Sequence, residues 1–292
     1  TGPTAQGLLM AYERHPSLFR DDELSIPESG NGVPDLLDEA KWGIRWVLSV
    51  QQPDGGFRLR ETTMTQEEAP EGPAHKDHSV RWIDRVGSAS TGKGTALAAL
   101  CARVYQKHDA AFAKRCDAAA KKGWAWLREH EERVTVPPMG AAKSNGYLLW
   151  DDCGDPKLKL SDFGARFMAA AEMWRTYRDQ DALARLEEMI QDHGASPYDF
   201  PYAGWTNLSR WVMMELVDDE KTPSSLRGEA RKRLVQAALM HRQNIEKKDG
   251  YFCATQPQDY YWASNPNLLE KAQLMLEAVR LELLDKALGR KP

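Results

Sequence analysis

The chain has 292 residues, 39 Lys and Arg against 43 Asp and Glu, a net charge of −4, and 42% hydrophobic residues. That length can bury a large core in one or two domains. The near-balanced charge shows no basic stripe for nucleic acid, and no apolar run is long enough to cross a bilayer, so neither partner is expected.

The opening TAQGLLMAYERHP reads as a helix from Thr4 to Tyr12 with no signal-peptide pattern before it, so an export signal is not expected within this chain. Pro27 to Gly32 then breaks the approach to a second helix. Pro34 suits the first helical position, because its φ is already helical and its missing N–H is not needed there. Leu36, Leu37, Ala40, Ile44, Val47 and Leu48 form one apolar face. Asp35, Asp38 and Glu39 sit in the first turns, where the helix dipole favours negative charge. Gln51-Gln52-Pro53 closes this helix and Asp54-Gly55-Gly56 turns the chain.

Phe57 to Gly87 reads as a long polar loop containing His75, Asp77, His78, Arg81 and Trp82. A metal site, a sugar contact and a plain solvated loop are all open for it. Two helices follow, Thr91 to Lys107 and a second one capped by Asp109. Gly92-Lys93-Gly94-Thr95 lacks the glycine spacing and the preceding strand of a phosphate loop. The four cysteines have no metal-type spacing, and Cys101 and Cys116, on Ala-rich helices, read as buried free thiols. A second long loop, Val134 to Leu160, carries Trp150, Asp151 and Asp152. Ser161 caps a helix with Phe163, Phe167, Ala170, Trp174 and Tyr177 on one face, and a short partner runs from Asp181 to Ile190.

A third loop, Pro197 to Asn207, precedes a helix through Trp211 and Leu216 and a long one from Ser224 to Glu246. A fourth loop leads through Tyr261 and Trp262 to a last helix with Leu269, Ala272, Leu276, Val279 and Leu283. About nine helices are visible, and no strand with period two, so the expected class is all-α. Alternating short and long connections put the long, aromatic ones at one end. Of the ten tryptophans, Trp42, Trp46, Trp124, Trp126 and Trp174 are assigned to the core.

The words IPESGNGVPDLLDEAKWGIRWVLSVQ and DGG resemble the most recognisable helix of the glycoside hydrolase family 9 catalytic domain. STGKGTALAAL, the AW-x-W-L ending at Leu127, Trp205-Thr206-Asn207 and Tyr261-Trp262-Ala263-Ser264 resemble further segments of it. The resemblance implies an (α/α)6 barrel of paired helices and cellulase activity: hydrolysis of β-1,4-glucan with inversion. It also implies a polysaccharide partner and a secreted or periplasmic location. The family's base lies in an Asp-Ala-Gly-Asp motif and its acid is a Glu beyond an LGRNP-like segment, and neither motif occurs here. Residues 1–292 therefore read as a single family 9-like domain with an incomplete barrel. Many members bind calcium, but Phe163 stands where they have a Glu ligand, so no cofactor or metal is expected.

Inverting hydrolysis needs two carboxyl groups roughly 6.5–9.5 Å apart. Asp151, Asp152 and Asp162 are the candidates by position, with solvated acids and a helix cap as the plainer reading. Pyranose rings stack their C–H faces on aromatics, which points to Trp205, Tyr261 and Trp262, with Asn207 and Asn265 at the edges and His78 and Trp150 on the other loops. Two alternatives remain: a carbohydrate-binding toroid without hydrolysis, and a terpenoid-cyclase-like toroid. The second would need repeats of the Gln51-x-x-Asp54-Gly55-Gly56-Phe57 word and an Asp-rich motif, and one copy of the word occurs.

Overall fold

The computed structural model describes residues 2–63, 74–136, 162–192, 209–248 and 264–281. Nine α-helices occur among them: α1 (Gly2–Arg14), α2 (Asp35–Ser49), α3 (Ser88–Tyr105), α4 (Ala110–Glu129), α5 (Phe163–Tyr177), α6 (Gln180–Asp192), α7 (Ser209–Asp218), α8 (Ser224–Lys248) and α9 (Ser264–Arg280). The class is all-α, and no described helix is long and apolar enough to cross a membrane. By packing, the chain divides into two units, Thr1–Tyr177 and Arg178–Pro292.

In the first unit α3 is the inner element. Every residue of it except Lys93 and Arg103 is buried, and it packs on α1, α4 and α5. Small residues make that possible. A Cβ at Gly92 would lie 2.6 Å from the Ala165 backbone of α5, and one at Gly94 would lie 2.5 Å from the Phe57 ring. This is the structural use of the Gly92–Thr95 run. Consecutive helices α3 and α4 are joined by a short turn, so the long connections after α2 and α4 leave from the end where α3 and α5 begin.

Helix α2 buries Leu37, Ala40, Ile44 and Val47 as its period requires. Pro34 is one place outside the expected position: it is the N-cap, with ψ 130°, and the helix starts at Asp35. Trp42 corrects the core assignment, being 61% exposed, and Trp46 is half-buried. Both lie on the side of α2 opposite the Leu37–Val47 stripe. The Trp42 Nε1–H donates to Glu28 at 3.1 Å, and the Arg45 guanidinium lies 5.7 Å from its ring. Trp124, Trp126 and Trp174 are buried as expected.

Asp35 is fully buried and organises the connection before α2. Its carboxylate accepts the N–H groups of Leu24 (2.6 Å), Glu23 (2.9 Å) and Asp22 (3.2 Å) and the Ser29 hydroxyl. Burial alone would raise its pKa, but these donors hold it below the usual carboxylate value.

Cys101 and Cys116 correct a second expectation. They form a disulfide between α3 and α4, with Cα atoms 5.9 Å apart. The hairpin turn brings the two inward faces together. Cys153 and Cys253 lie outside the described residues.

The polar loop after Phe57 is also more ordered than its composition suggests. Bridges Gln51↔Phe57 and Arg58↔Val86 lead into a short antiparallel ribbon, β1 (Glu61–Thr62) with β2 (Trp82–Ile83). Two residues per strand are too few for an alternating pattern to stand out in the sequence.

Four charged side chains tie α1, α3 and α5 together. Arg103 reaches Glu13 at 2.5 and 3.0 Å and Glu172 at 2.8 Å, and Arg175 reaches Glu172 at 3.0 Å and Glu13 at 2.9 Å. Glu172 is completely buried. With two charges of each sign, the cluster offsets its own desolvation.

The second unit packs α7 and α9 on α8, with α6 also meeting α8. Val212, Met213, Leu216, Leu226, Ala230 and Leu234 are buried. The last helix departs from expectation: Leu269, Leu276 and Val279 are exposed, while Leu274 and Ala278, one turn apart, are buried. Buried Lys271 and Glu277 flank that stripe with their aliphatic stems. Arg280 pairs with Asp218 at the end of α7 and with Glu277.

Two expectations are open to measurement. Burial would raise the Glu13 pKa, but Arg103 and then Arg175 pull it from 4.5 to about 2. A carboxylate depressed on folding contributes stability above its unfolded pKa and loses it as pH falls through the folded one. Stability should therefore drop between about pH 4.5 and 2, and Glu13→Gln should flatten that part of the pH–stability curve; an unchanged slope would contradict the network. Peptide mapping of the unreduced chain should find Cys101 and Cys116 in one cross-linked pair of peptides; finding both as free thiols would contradict the disulfide. A reductant should lower stability by about 3 kcal/mol, as expected for a cross-link closing a loop of this length.

Candidate functional site

The end of the first unit that carries the long connections is built from the C-terminus of α2, the N-termini of α3 and α5, and the C-terminus of α4. The α3 N-terminus fixes the turn after α2. Thr91 Oγ1 accepts the Phe57 N–H at 3.0 Å, and Ser90 Oγ donates to the Phe57 carbonyl at 2.8 Å. Gly55, at φ +105°, lets the turn press against the Lys122 backbone of α4.

From that turn the chain runs into the ribbon. Arg60 and Asp84 form a buried pair at 2.5 Å across it, and the Asp84 N–H donates to the Arg60 carbonyl at 2.9 Å. Burial raises the Asp84 pKa, and Arg60 opposes the rise. On the far side of the same loop, Asp77 accepts the Ser79 N–H at 2.8 Å and pairs with Arg81. Arg166 of α5 reaches Asp162 at 2.6 Å and the carbonyls of His130 (2.7 Å), Leu127 and Glu132 (both 3.2 Å), capping α4. The His130 ring stacks on Trp126 at 3.9 Å between centroids.

Of the candidates named from the sequence, His78 is exposed on the connection before β2. Asp162 lies just before α5, buried and bonded to Arg166. Asn265 is on the first turn of α9, in the second unit. Trp150, Asp151, Asp152, Trp205, Asn207, Tyr261 and Trp262 lie outside the described residues. His78 and Asp162 therefore belong to two connections at one end of the first unit.

Sequence reasoning passed over Arg58, Arg60, Asp84, Arg85 and Arg166. No signal marked them, because strands of two residues are too short for an alternating pattern.

The sequence profile described as glycosyl hydrolase family 9 matches residues 1–288. The chain belongs to that family. Endoglucanase D of Acetivibrio thermocellus is 26% identical over 281 residues, covering 96% of this chain and 43% of the relative. A xyloglucan-specific endo-beta-1,4-glucanase of Bacteroides ovatus is 30% identical over 206 residues, or 69% of this chain and 33% of the relative. Among solved structures, a metagenome-derived glycoside hydrolase family 9 endoglucanase matches with TM-score 0.79 and 29% identity, over 97% of this chain and 49% of its own.

The chain thus spans less than half the length of the curated relatives it matches. Its fold class is the family's (α/α)6 barrel, matched over about half of a solved family 9 chain. Of the sugar-contacting candidates, His78 and Trp150 fall within the first unit, and Trp205, Asn207, Tyr261, Trp262 and Asn265 within the second.

Proposed function

We propose that this chain contributes the glucan-binding surface of a cellulase-type family 9 glycoside hydrolase acting on β-1,4-glucan. The observation that carries this reading is the family match over residues 1–288, together with relatives named as endoglucanases. The Cys101–Cys116 disulfide supports a secreted or periplasmic setting, since such bonds persist in oxidising compartments. The proposal requires no cofactor.

The division of labour follows from the carboxylates. Inversion needs one carboxyl group free to take a proton from water and another free to protonate the leaving oxygen. At the long-connection end, Asp84 is held by Arg60, Asp162 by Arg166 and Asp77 by Arg81. Asp54 accepts the Gly56 N–H across the turn. An acid fixed against a guanidinium is held in place, which suits a structural group better than one that must turn toward a substrate. The pair for inversion is therefore assigned outside these four, and the described residues supply the frame on which the aromatic loops present sugar contacts.

Two assays on the 292-residue chain test this: reducing-sugar release from a neutral soluble β-1,4-glucan, and titration with cello-oligosaccharides. Binding that weakens in Trp205→Ala or Trp262→Ala is the expected result. Absence of binding would contradict the reading. Turnover lost in Asp162→Asn would contradict the structural role given to that residue.

A further inference from the structure

The ribbon after α2 carries four arginines, and they divide into two kinds. Arg60 is paired with buried Asp84, and Arg81 with Asp77. Arg58 has no carboxylate partner among the described residues. Its guanidinium donates to two neutral acceptors, the Gln52 side-chain oxygen at 3.1 Å and the Asp84 carbonyl at 3.3 Å. The Arg85 side chain is exposed and makes no hydrogen bond or ion pair with a described residue.

These two groups line one groove. Its volume is about 440 Å3, and Gln52, Pro53, Asp54 and Val86 complete its wall. The scaffold beneath it is fixed: Arg58 and Val86 are bridged across the ribbon, and the Leu59 N–H donates to the Arg85 carbonyl at 3.2 Å. Among the described residues Asp54 is the one acid on the wall, and its Oδ1 already accepts the Gly56 N–H at 3.0 Å. Arg103, Arg175, Arg178 and Arg280, by contrast, each meet an acid. Two guanidinium groups left without an acid on one wall form a site for a ligand carboxylate, which a planar fork of N–H donors matches in shape as well as charge. Pro53 and Val86 add apolar surface of the kind a pyranose C–H face covers, and the Gln52 amide can meet a hydroxyl. That combination fits a sugar carrying a carboxylate better than a bare anion.

We propose that the groove between the turn after α2 and the ribbon is a subsite for an acidic sugar unit, a uronate, whose carboxylate is bound by Arg58 and Arg85. This rests on the glycan-binding reading above and narrows it to glucans bearing acidic substituents.

The test is calorimetric titration of the 292-residue chain, at low salt, with two oligosaccharides of the same β-1,4-glucan backbone, one neutral and one carrying a single glucuronate. The acidic one is expected to bind about tenfold more tightly, the gain of one charge-assisted contact. That preference should fall to about one in both Arg85→Gln and Arg58→Gln, and at about 1 M salt, where the screening length is roughly 3 Å. Arg85 has no partner to lose, so its variant keeps the test sound if Arg58→Gln disturbs the turn. Equal binding of the two sugars, or a preference that survives in Arg85→Gln, would overturn the subsite and leave the glycan reading standing. Binding of neither sugar would overturn both.

Discussion

Helix α3 has almost no face left for water, and the rest of the first unit is built to tolerate that. A helix buried all round can be approached closely only where its side chains are small, and α3 meets its neighbours at such points. Gly92 faces the backbone of α5 and Gly94 faces the ring of Phe57. The Phe57 ring is fully packed, and its backbone N–H and carbonyl are taken by Thr91 and Ser90. The turn after α2 is thereby docked onto the start of the inner helix. The ribbon that follows, with its four arginines, inherits its position from that contact. The far end of α3 is held differently, by the Glu13–Arg103–Glu172–Arg175 cluster and by the Tyr105 hydroxyl donating to the Leu37 carbonyl. Hydrophobic packing sets where α3 runs, and paired charge sets which helices it joins.

Much of this was legible in the residues. The apolar period of α2 gave its buried face, and within the first unit the long connections after α2 and α4 leave from one end, as the alternation of short and long connections suggested. What misled was weight given to residue type over position. Trp42 and Trp46 look like core residues by size, yet the same period that buries Ile44 turns both away from it. The last helix went wrong for a related reason. Its larger apolar residues, Leu269, Leu276 and Val279, suggest a face, but the stripe it buries is Leu274 and Ala278. The disulfide was not legible at all, because a separation of 15 residues gives no hint that a hairpin will bring two helix faces together. The ribbon was missed because its strands are two residues long, below the length at which alternation is a signal.

Electrostatics divides the long-connection end into structural and available charge. Of the described acids there, Asp77, Asp84 and Asp162 are each paired with an arginine, which holds them in place. The available charge is positive, on Arg58 and Arg85. The long-connection end of the first unit is therefore polar and cation-edged among the described residues.

Everything above depends on α3 carrying the turn after α2, and hydrogen exchange can test that directly. Exchange would be followed by mass spectrometry in the parent chain and in Gly94→Ala, whose added methyl meets the Phe57 ring. The account predicts that α3 is the slowest-exchanging helix of the first unit in the parent. In the variant, α3 and the Gln51–Arg58 turn should lose protection together. Protection unchanged at both places, or α3 exchanging as fast as α2 in the parent, would contradict it.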